Sequence, residues 1–243
     1  MPRRKKARRS PRAGLLNRIA RSIRAALRWA MVGLAAFVLA LVVWVAAYRF
    51  IDPPGGIYMW QEWRRLGEIR QDWVPMRLIA PVMARSAVAA EDANFCRHWG
   101  FDVVAIRSAI EAGGTRGAST ITQQVVKNVF LWHGRSWPRK VLEAGITPLV
   151  ELLWSKQRIL EVYLNVAEFD TGVFGVEAAA QHYFNRAAAD LTPRQAALLA
   201  AVLPAPKTRN AARPTDFLNR RARAITDGAA TIARDGRAAC FGG

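Results

Sequence analysis

Glu91 and Asp92 stand side by side at the head of EDANFCRHWGFD, residues 91–102, a stretch otherwise built from aromatic and small residues with one Arg and one His. Ionised carboxylates are costly to desolvate, so core packing alone would have used Leu or Ala there. On a helix, Glu91 and Phe95 share a face, which predicts a carboxylate beside an aromatic wall that limits water. Such surroundings raise a carboxyl pKa and suit a general base or acid.

A second polar cluster, GASTITQQVVKNVFL at residues 117–131, holds Ser119, Thr120, Thr122, Gln123, Gln124, Lys127 and Asn128. Hydroxyls and amides at this density suggest contacts to a sugar or its phosphates. Read in isolation, Ser119 is better explained as the N-cap of the helix that follows. The third cluster, GRSWPRKVLEAG at residues 134–145, adds Arg135, Arg139, Lys140 and Glu143. Lys127, Arg135 and Arg139 supply cations for a polyanionic group, and arginine forks suit phosphate geometry. Glu143 lies at salt-bridge reach of Arg139, and the plain alternative is a solvated amphipathic helix. The apolar neighbours Val125, Val126, Phe130, Leu131, Trp132 and Trp137 predict that this region also dips toward lipid.

Helices must position these groups, because the pattern is helical nearly throughout from about Ser86. FDVVAIRSAIEAGG places Val103, Ile106 and Ile110 on one face and stops at Gly113 and Gly114. SKQRILEVYLN repeats the device with Ile159, Leu160, Tyr163 and Leu164. TPRQAALLAAVLP begins with Thr192 as N-cap and Pro193 at the first helical position. The expectation is an all-α or mostly α domain, with residues 112–120 as a mobile loop and no internal repeat.

The chain has 243 residues and a formal net charge of +18, enough for one membrane anchor plus one domain of ordinary size. Eleven Lys or Arg and no acid fall in residues 1–28 (Arg3, Arg4, Lys5, Lys6, Arg8, Arg9, Arg12, Arg18, Arg21, Arg24, Arg28). Trp29 to Tyr48 then runs for twenty residues without a charge, the length that crosses a bilayer core. Interfacial aromatics stand near its ends, and positive charge before the span predicts a cytoplasmic N-terminus with the folded part outside. An uncleaved anchor is favoured over a signal peptide because the apolar run exceeds a signal core. A nucleic-acid role is thereby disfavoured. The expected layout is a basic tail at 1–28, a transmembrane helix at 29–48, a membrane-proximal connector at 49–85, a catalytic domain at 86–235 and a C-terminal tail at 236–243. The outer compartment permits a Cys96–Cys240 disulfide, although nothing local supports it, so the pairing stays open. His98, His133 and His182 stand alone in sequence, and no zinc site is predicted.

In order, EDANFCRHWGFD, GASTITQQ, KNVFL, RKVLE and KQRILEVYLN resemble the five-motif signature of the peptidoglycan glycosyltransferases, across residues 86 to about 210. The resemblance implies a lysozyme-like α fold. No Ser is followed by Lys three positions later, so the likeness is to the branch of that family without a transpeptidase domain. The resemblance further implies that the chain polymerises lipid II into glycan strands by inverting β-1,4 transfer, releasing undecaprenyl pyrophosphate. By that likeness Glu91 is the general base toward the acceptor 4-hydroxyl, and Lys127 and Arg135 hold the pyrophosphate. Glu143 is the second acid. Ser119, Thr120, Gln123, Gln124 and Asn128 surround the donor cleft, with Arg139 and Lys140 as further substrate-binding cations. Asp92 and His98 hold the architecture of the first motif, Glu161, Tyr163 and Asn165 brace the fold, and Lys156 lies near the cleft.

No cofactor is required by the resemblance, with a divalent cation such as Mg or Mn as the option left open. It implies lipid II, the growing lipid-linked glycan, the membrane and other cell-wall synthesis or division proteins as partners, at a bacterial inner membrane with the catalytic domain on the periplasmic side. Two other readings compete: a lysozyme-like glycan-cleaving enzyme, which would not need the cations, and a non-catalytic scaffold of cell-wall assembly.

Overall fold

The computed structural model describes residues 11–113, 117, 119–134 and 136–242, with side chains described from residue 20 onward. The chain divides into two compact units, the first ending at Ala47 and the second beginning at Tyr48. The first unit contains helix α1, Pro11–Ala47. Its part Ala20–Ala47 is long and apolar enough to cross a membrane, and the most apolar eighteen residues within it have a mean hydropathy of 2.6. At ~1.5 Å per residue those residues span about 42 Å, with every backbone bond made inside the segment. The helix does not begin at Trp29 as expected. Pro11 opens it, and the Ala, Leu, Ile and Arg that predominate after it outweigh Gly14, so the helix carries Arg12 to Arg28 without interruption.

The second unit is mostly helical. It contains α2 (Ile57–Leu66), α3 (Pro81–Glu91), α4 (Val103–Glu111), α5 (Ile121–Phe130), α6 (Trp137–Leu153), α7 (Lys156–Val166), α8 (Val176–Phe184), α9 (Pro193–Val202) and α10 (Asp216–Arg234). Three short strands, β1 (Arg70–Gln71), β2 (Glu168–Asp170) and β3 (Val173–Phe174), form a sheet in the order β1-β3-β2. β1 runs parallel to β3 and β2 antiparallel to it.

Two helical groups make the core. Helices α3, α9 and α10 pack together. The buried face of α10 is Leu218, Ala222, Ile225, Ala229 and Ile232, spaced alternately four and three residues apart as one helical stripe requires. Every residue of α9 from Ala196 to Val202 is buried, and its alanines let the neighbouring backbones approach closely. The second group centres on α5, which packs against α2, α6 and α7. Ile159, Leu160, Tyr163 and Leu164 of α7 are buried there, as their period predicts. Truncating Leu160 or Leu199 to Ala costs about 2–5 kcal/mol by cavity formation.

Several expectations need correction. Residues 49–85 do not form a separate connector. Helix α2 docks on α5 so closely that a Cβ at Gly56 would lie 1.7 Å from the Asn128 carbonyl oxygen, which explains the glycine in DPPGG. Met76 N donates to Glu161 Oε2 at 2.6 Å, and Asn165 brackets Val74 with two 2.9 Å bonds. Arg158 donates to the carbonyls of Tyr48 and Ile51 and to Asp52. Within the expected tail, residues 236–242 are tied down: Ala238 and Phe241 are buried, and Cys240 is bonded to Cys96.

Val125, Val126, Phe130 and Leu131, expected to approach lipid, belong to the core. Trp137, at 84 % exposure, does reach solvent. The α4 stripe of Val103 and Ile110 is exposed as well, and Ala109 is the buried residue of that helix. Of the expected mobile loop, residues 114–116 and 118 lie outside the described residues.

Candidate active site

Glu91 is the last residue of α3, and the chain leaves the helix at Asp92 (φ −160°, ψ 69°). Phe95 therefore does not share a helical face with Glu91. It is buried elsewhere, 6.4 Å from the His98 ring and 6.3 Å from Phe241 between ring centroids. Asp92 ties the first motif to the second: Oδ1 pairs with His98 Nε2 at 2.8 Å, and Oδ2 accepts from Ile121 N at 3.0 Å. The backbone carbonyl of His98 accepts from Lys156 Nζ at 2.8 Å. Lys156 also pairs with Glu151, which accepts from Thr122 Oγ1 at 2.6 Å. Lys156 thus sits in a buried network and not at the cleft.

His98 is not alone, since ligand atoms of Asp92, His98 and Asp102 lie within 4.8 Å of one another. The carboxylate oxygens there are already engaged. Asp102 Oδ1 caps α4 through Ala105 N at 2.9 Å, and Oδ2 accepts from Asn94 at 2.9 Å. The group reads as a helix-capping and loop-tying network.

Glu91 borders a cavity of about 270 Å³ together with Asn94, Asp102, Gly117 and Ser119. Gln124 Nε2 donates to Glu91 Oε2 at 2.9 Å, and Tyr163 OH donates to Gln124 Oε1 at 3.4 Å. Burial pushes the Glu91 carboxyl above its ordinary range, while the Gln124 donor and the charges of Arg221, Lys127 and Arg209 pull it back. A carboxylate held this way is a stronger proton acceptor than one in water. Tyr163, expected only as a brace, lines the neighbouring cavity and orients Gln124.

That neighbouring cavity, of about 380 Å³, is entered by Gln124, Lys127 and Asn128 from α5. Burial lowers the pKa of Lys127, with Glu143 opposing. Tyr58, His133, Glu168, Lys207 and Thr208 add to its polar lining, and the sequence named none of the five as site residues. Tyr58 stacks on His133 with centroids 3.6 Å apart and planes 3° apart, and its hydroxyl donates to Glu168 Oε2 at 2.6 Å. His133 Nε2 is bonded to Asn128 Oδ1 at 3.0 Å. Burial, then Lys127, Arg139 and Lys207, push the His133 imidazole down to about 4, so it is neutral near pH 7.

The other expected ligands fall into different places. Thr120, not Ser119, is the N-cap of α5, in a capping box with Gln123. Thr120 Oγ1 also donates to the Gly100 carbonyl at 2.7 Å, so its hydroxyl is fully engaged, and Gln123 is buried. Gly100 has φ +79°, and a Cβ there would meet Thr147 at 2.5 Å. Ser119 is exposed on the Glu91 cavity. Glu143, expected as a catalytic acid, is 2 % exposed and has both oxygens in ion pairs, with Arg139 Nη1 at 2.6 Å and with Lys140 Nζ. Arg139 and Lys140 border a separate shallow cavity beside Trp137, not the Lys127 cavity. Arg135 lies outside the described residues.

A half-buried acid on α3 and the amide and cation of α5 thus meet beside one cavity. The Transglycosylase family profile matches residues 60–230, a range that contains Glu91, Gln124 and Lys127. The chain belongs to the transglycosylase family. It is 64 % identical to the biosynthetic peptidoglycan transglycosylase of Jannaschia sp. (strain CCS1), over 88 % of this chain and 90 % of the relative. It is 50 % identical to the protein of that name from Stutzerimonas stutzeri (strain A1501), over 74 % and 79 %. The Rhodospirillum centenum relative is 47 % identical over 86 % and 92 %. The transglycosylase match begins at residue 60, inside α2, in line with the docking of that helix on α5.

Proposed function

We propose that the chain polymerises peptidoglycan glycan strands from lipid II, using Glu91 as general base and Lys127 with Arg135 as the holders of the leaving diphosphate. The observation that carries this reading is the single glutamine that joins two cavities: Gln124 donates to Glu91 and lines the cavity of Lys127. Ionised Glu91 accepts the proton of the acceptor 4-hydroxyl. The oxygen then bonds to the anomeric carbon of the growing chain, and the carbon–oxygen bond to the diphosphate breaks with inversion. The electron pair leaves on undecaprenyl diphosphate, where Lys127 stabilises the charge. A desolvated cation is worth more there than in water.

Glu143 orients Arg139 and Lys140 and does not touch the reacting atoms. Since both its oxygens are held by those cations, it offers a divalent ion no open carboxylate, and no step here is routed through a metal. Residues 20–47 anchor the protein in the bacterial inner membrane, where a lipid-linked substrate is met, with the second unit on the periplasmic side. The chain carries no transpeptidase activity, in keeping with the lack of an S-x-x-K motif. Incubation of the purified protein with labelled lipid II tests the reading: glycan polymer should form with wild type and not with Glu91→Gln. Polymer formation by Glu91→Gln at the wild-type rate would refute it.

A further inference from the structure

The loop 203–208 that follows α9 forms one wall of the Lys127 cavity, and Lys207 stands on it just after Pro206. Its Nζ lies 2.9 Å from Glu62 Oε2, 3.7 Å from Glu168 Oε1 and 5.3 Å above the Tyr58 ring. Neither carboxylate depends on it. Arg65 already clasps Glu62 through Nε and Nη2. Glu168 accepts from Tyr58 OH at 2.6 Å and from Gly172 N at 3.3 Å. The Lys207 side chain is 38 % exposed and that of Glu62 9 %, so the lysine can swing out from the solvent side while Arg65 stays on Glu62.

Tyr58 under Lys207 stacks on His133, and His133 is bonded to Asn128, the neighbour of Lys127. The two lysines therefore border one cavity across a neutral aromatic floor. An ammonium group has donors only, so a phosphate oxygen suits it better than a sugar hydroxyl. We propose that Lys207 is a second diphosphate-contacting side chain of this cavity, latched on Glu62 and Glu168 when it is empty and transferred to a phosphate oxygen when a lipid-diphosphate substrate fills it. This rests on the reading above that the Lys127 cavity takes the diphosphate.

The test is calorimetric titration of inorganic pyrophosphate into the full-length detergent-solubilised protein, paired with initial rates on lipid II and a thermal melt of each variant. Lys207→Ala should weaken pyrophosphate about tenfold, the loss of a charged hydrogen bond, and raise KM more than it lowers kcat. Lys207→Arg should restore binding. Glu62→Gln, which loosens the latch, should tighten pyrophosphate by up to about fivefold. A lysine that only struts the loop gives both variants the same sign, so weakening by both, or a change in neither, overturns the proposal. Lys127→Ala separates the two readings. If it abolishes pyrophosphate binding while Lys207→Ala leaves it intact, the Lys207 proposal alone falls. If Lys127→Ala is also silent, or wild type shows no heat at millimolar pyrophosphate, the diphosphate reading of the cavity falls with it.

Discussion

The Glu91 cavity and the Lys127 cavity adjoin through one glutamine, yet burial acts on them in opposite senses. In the first it raises the pKa of an acid, and in the second it lowers the pKa of a cation. Each site holds a group whose charged form is poorly hydrated and ready for a partner. Among the described residues no ion pair joins Glu91 to Lys127. Had they paired directly, the carboxylate would be drawn down and become a weaker base, and the lysine would lose capacity for phosphate. Gln124, a neutral donor, keeps them adjacent without letting them neutralise each other. Separation of an acid from a cation by a single amide is what the comparison teaches.

The largest effect should come from the acid. Glu91→Gln should lower kcat/KM for polymerisation by about 10²- to 10⁴-fold. Because its folded pKa is raised, ionised Glu91 costs stability at neutral pH, a cost absent below the usual 4.5 and complete above the raised value. The same variant should therefore melt ~1–4 °C higher at pH 7, and a lower melting temperature would contradict the burial argument.

Next is the cation. Lys127→Ala should cut kcat by about 10²-fold without lowering the melting temperature at pH 7, because burial already disfavours the charged amine. The wild-type acid limb, where activity rises with pH as Glu91 ionises, should lie above the usual Glu range. In Lys127→Ala it should shift to higher pH, since the lysine holds that pKa down. An unshifted limb would mean the cavities do not sense each other.

Gln124→Ala probes the joint itself. Loss of the donor should shift the acid limb upward and lower the rate by about tenfold, readable from a pH–rate profile with lipid II. The smallest effect should be Thr120→Ala, which removes a cap. It should cost about 1 kcal/mol in denaturant melts with kcat nearly unchanged, and a large loss of kcat would return Thr120 to the substrate site.

Much of this was legible in sequence, for stated reasons. Thr192 with Pro193 announces α9, and the period of Ile159, Leu160, Tyr163 and Leu164 announces α7, because caps and helical spacing are local physics. Glu91 stood out because charge on an apolar segment is expensive, and Lys127 because it is one of three cations close in sequence that suit a polyanionic group. Thr120 and Gln123 misled because a hydroxyl and an amide three residues apart serve a cap and a sugar equally well. Tyr58, His133 and Lys207 lie at separate points of the chain, and only the docking of α2 and the path of the loop after α9 bring them to one cavity. The strands of two or three residues are too short to alternate visibly, and a disulfide spanning 144 residues leaves no local trace.

The Cys96–Cys240 bond also has a practical meaning. A protease cutting any exposed turn between the two cysteines would release no fragment, and the pieces would come apart on a gel only after thiol treatment. An affinity tag fused to the C-terminus would hang beside the strand of chain that emerges from Glu91, so the N-terminal end is the safer place for a handle.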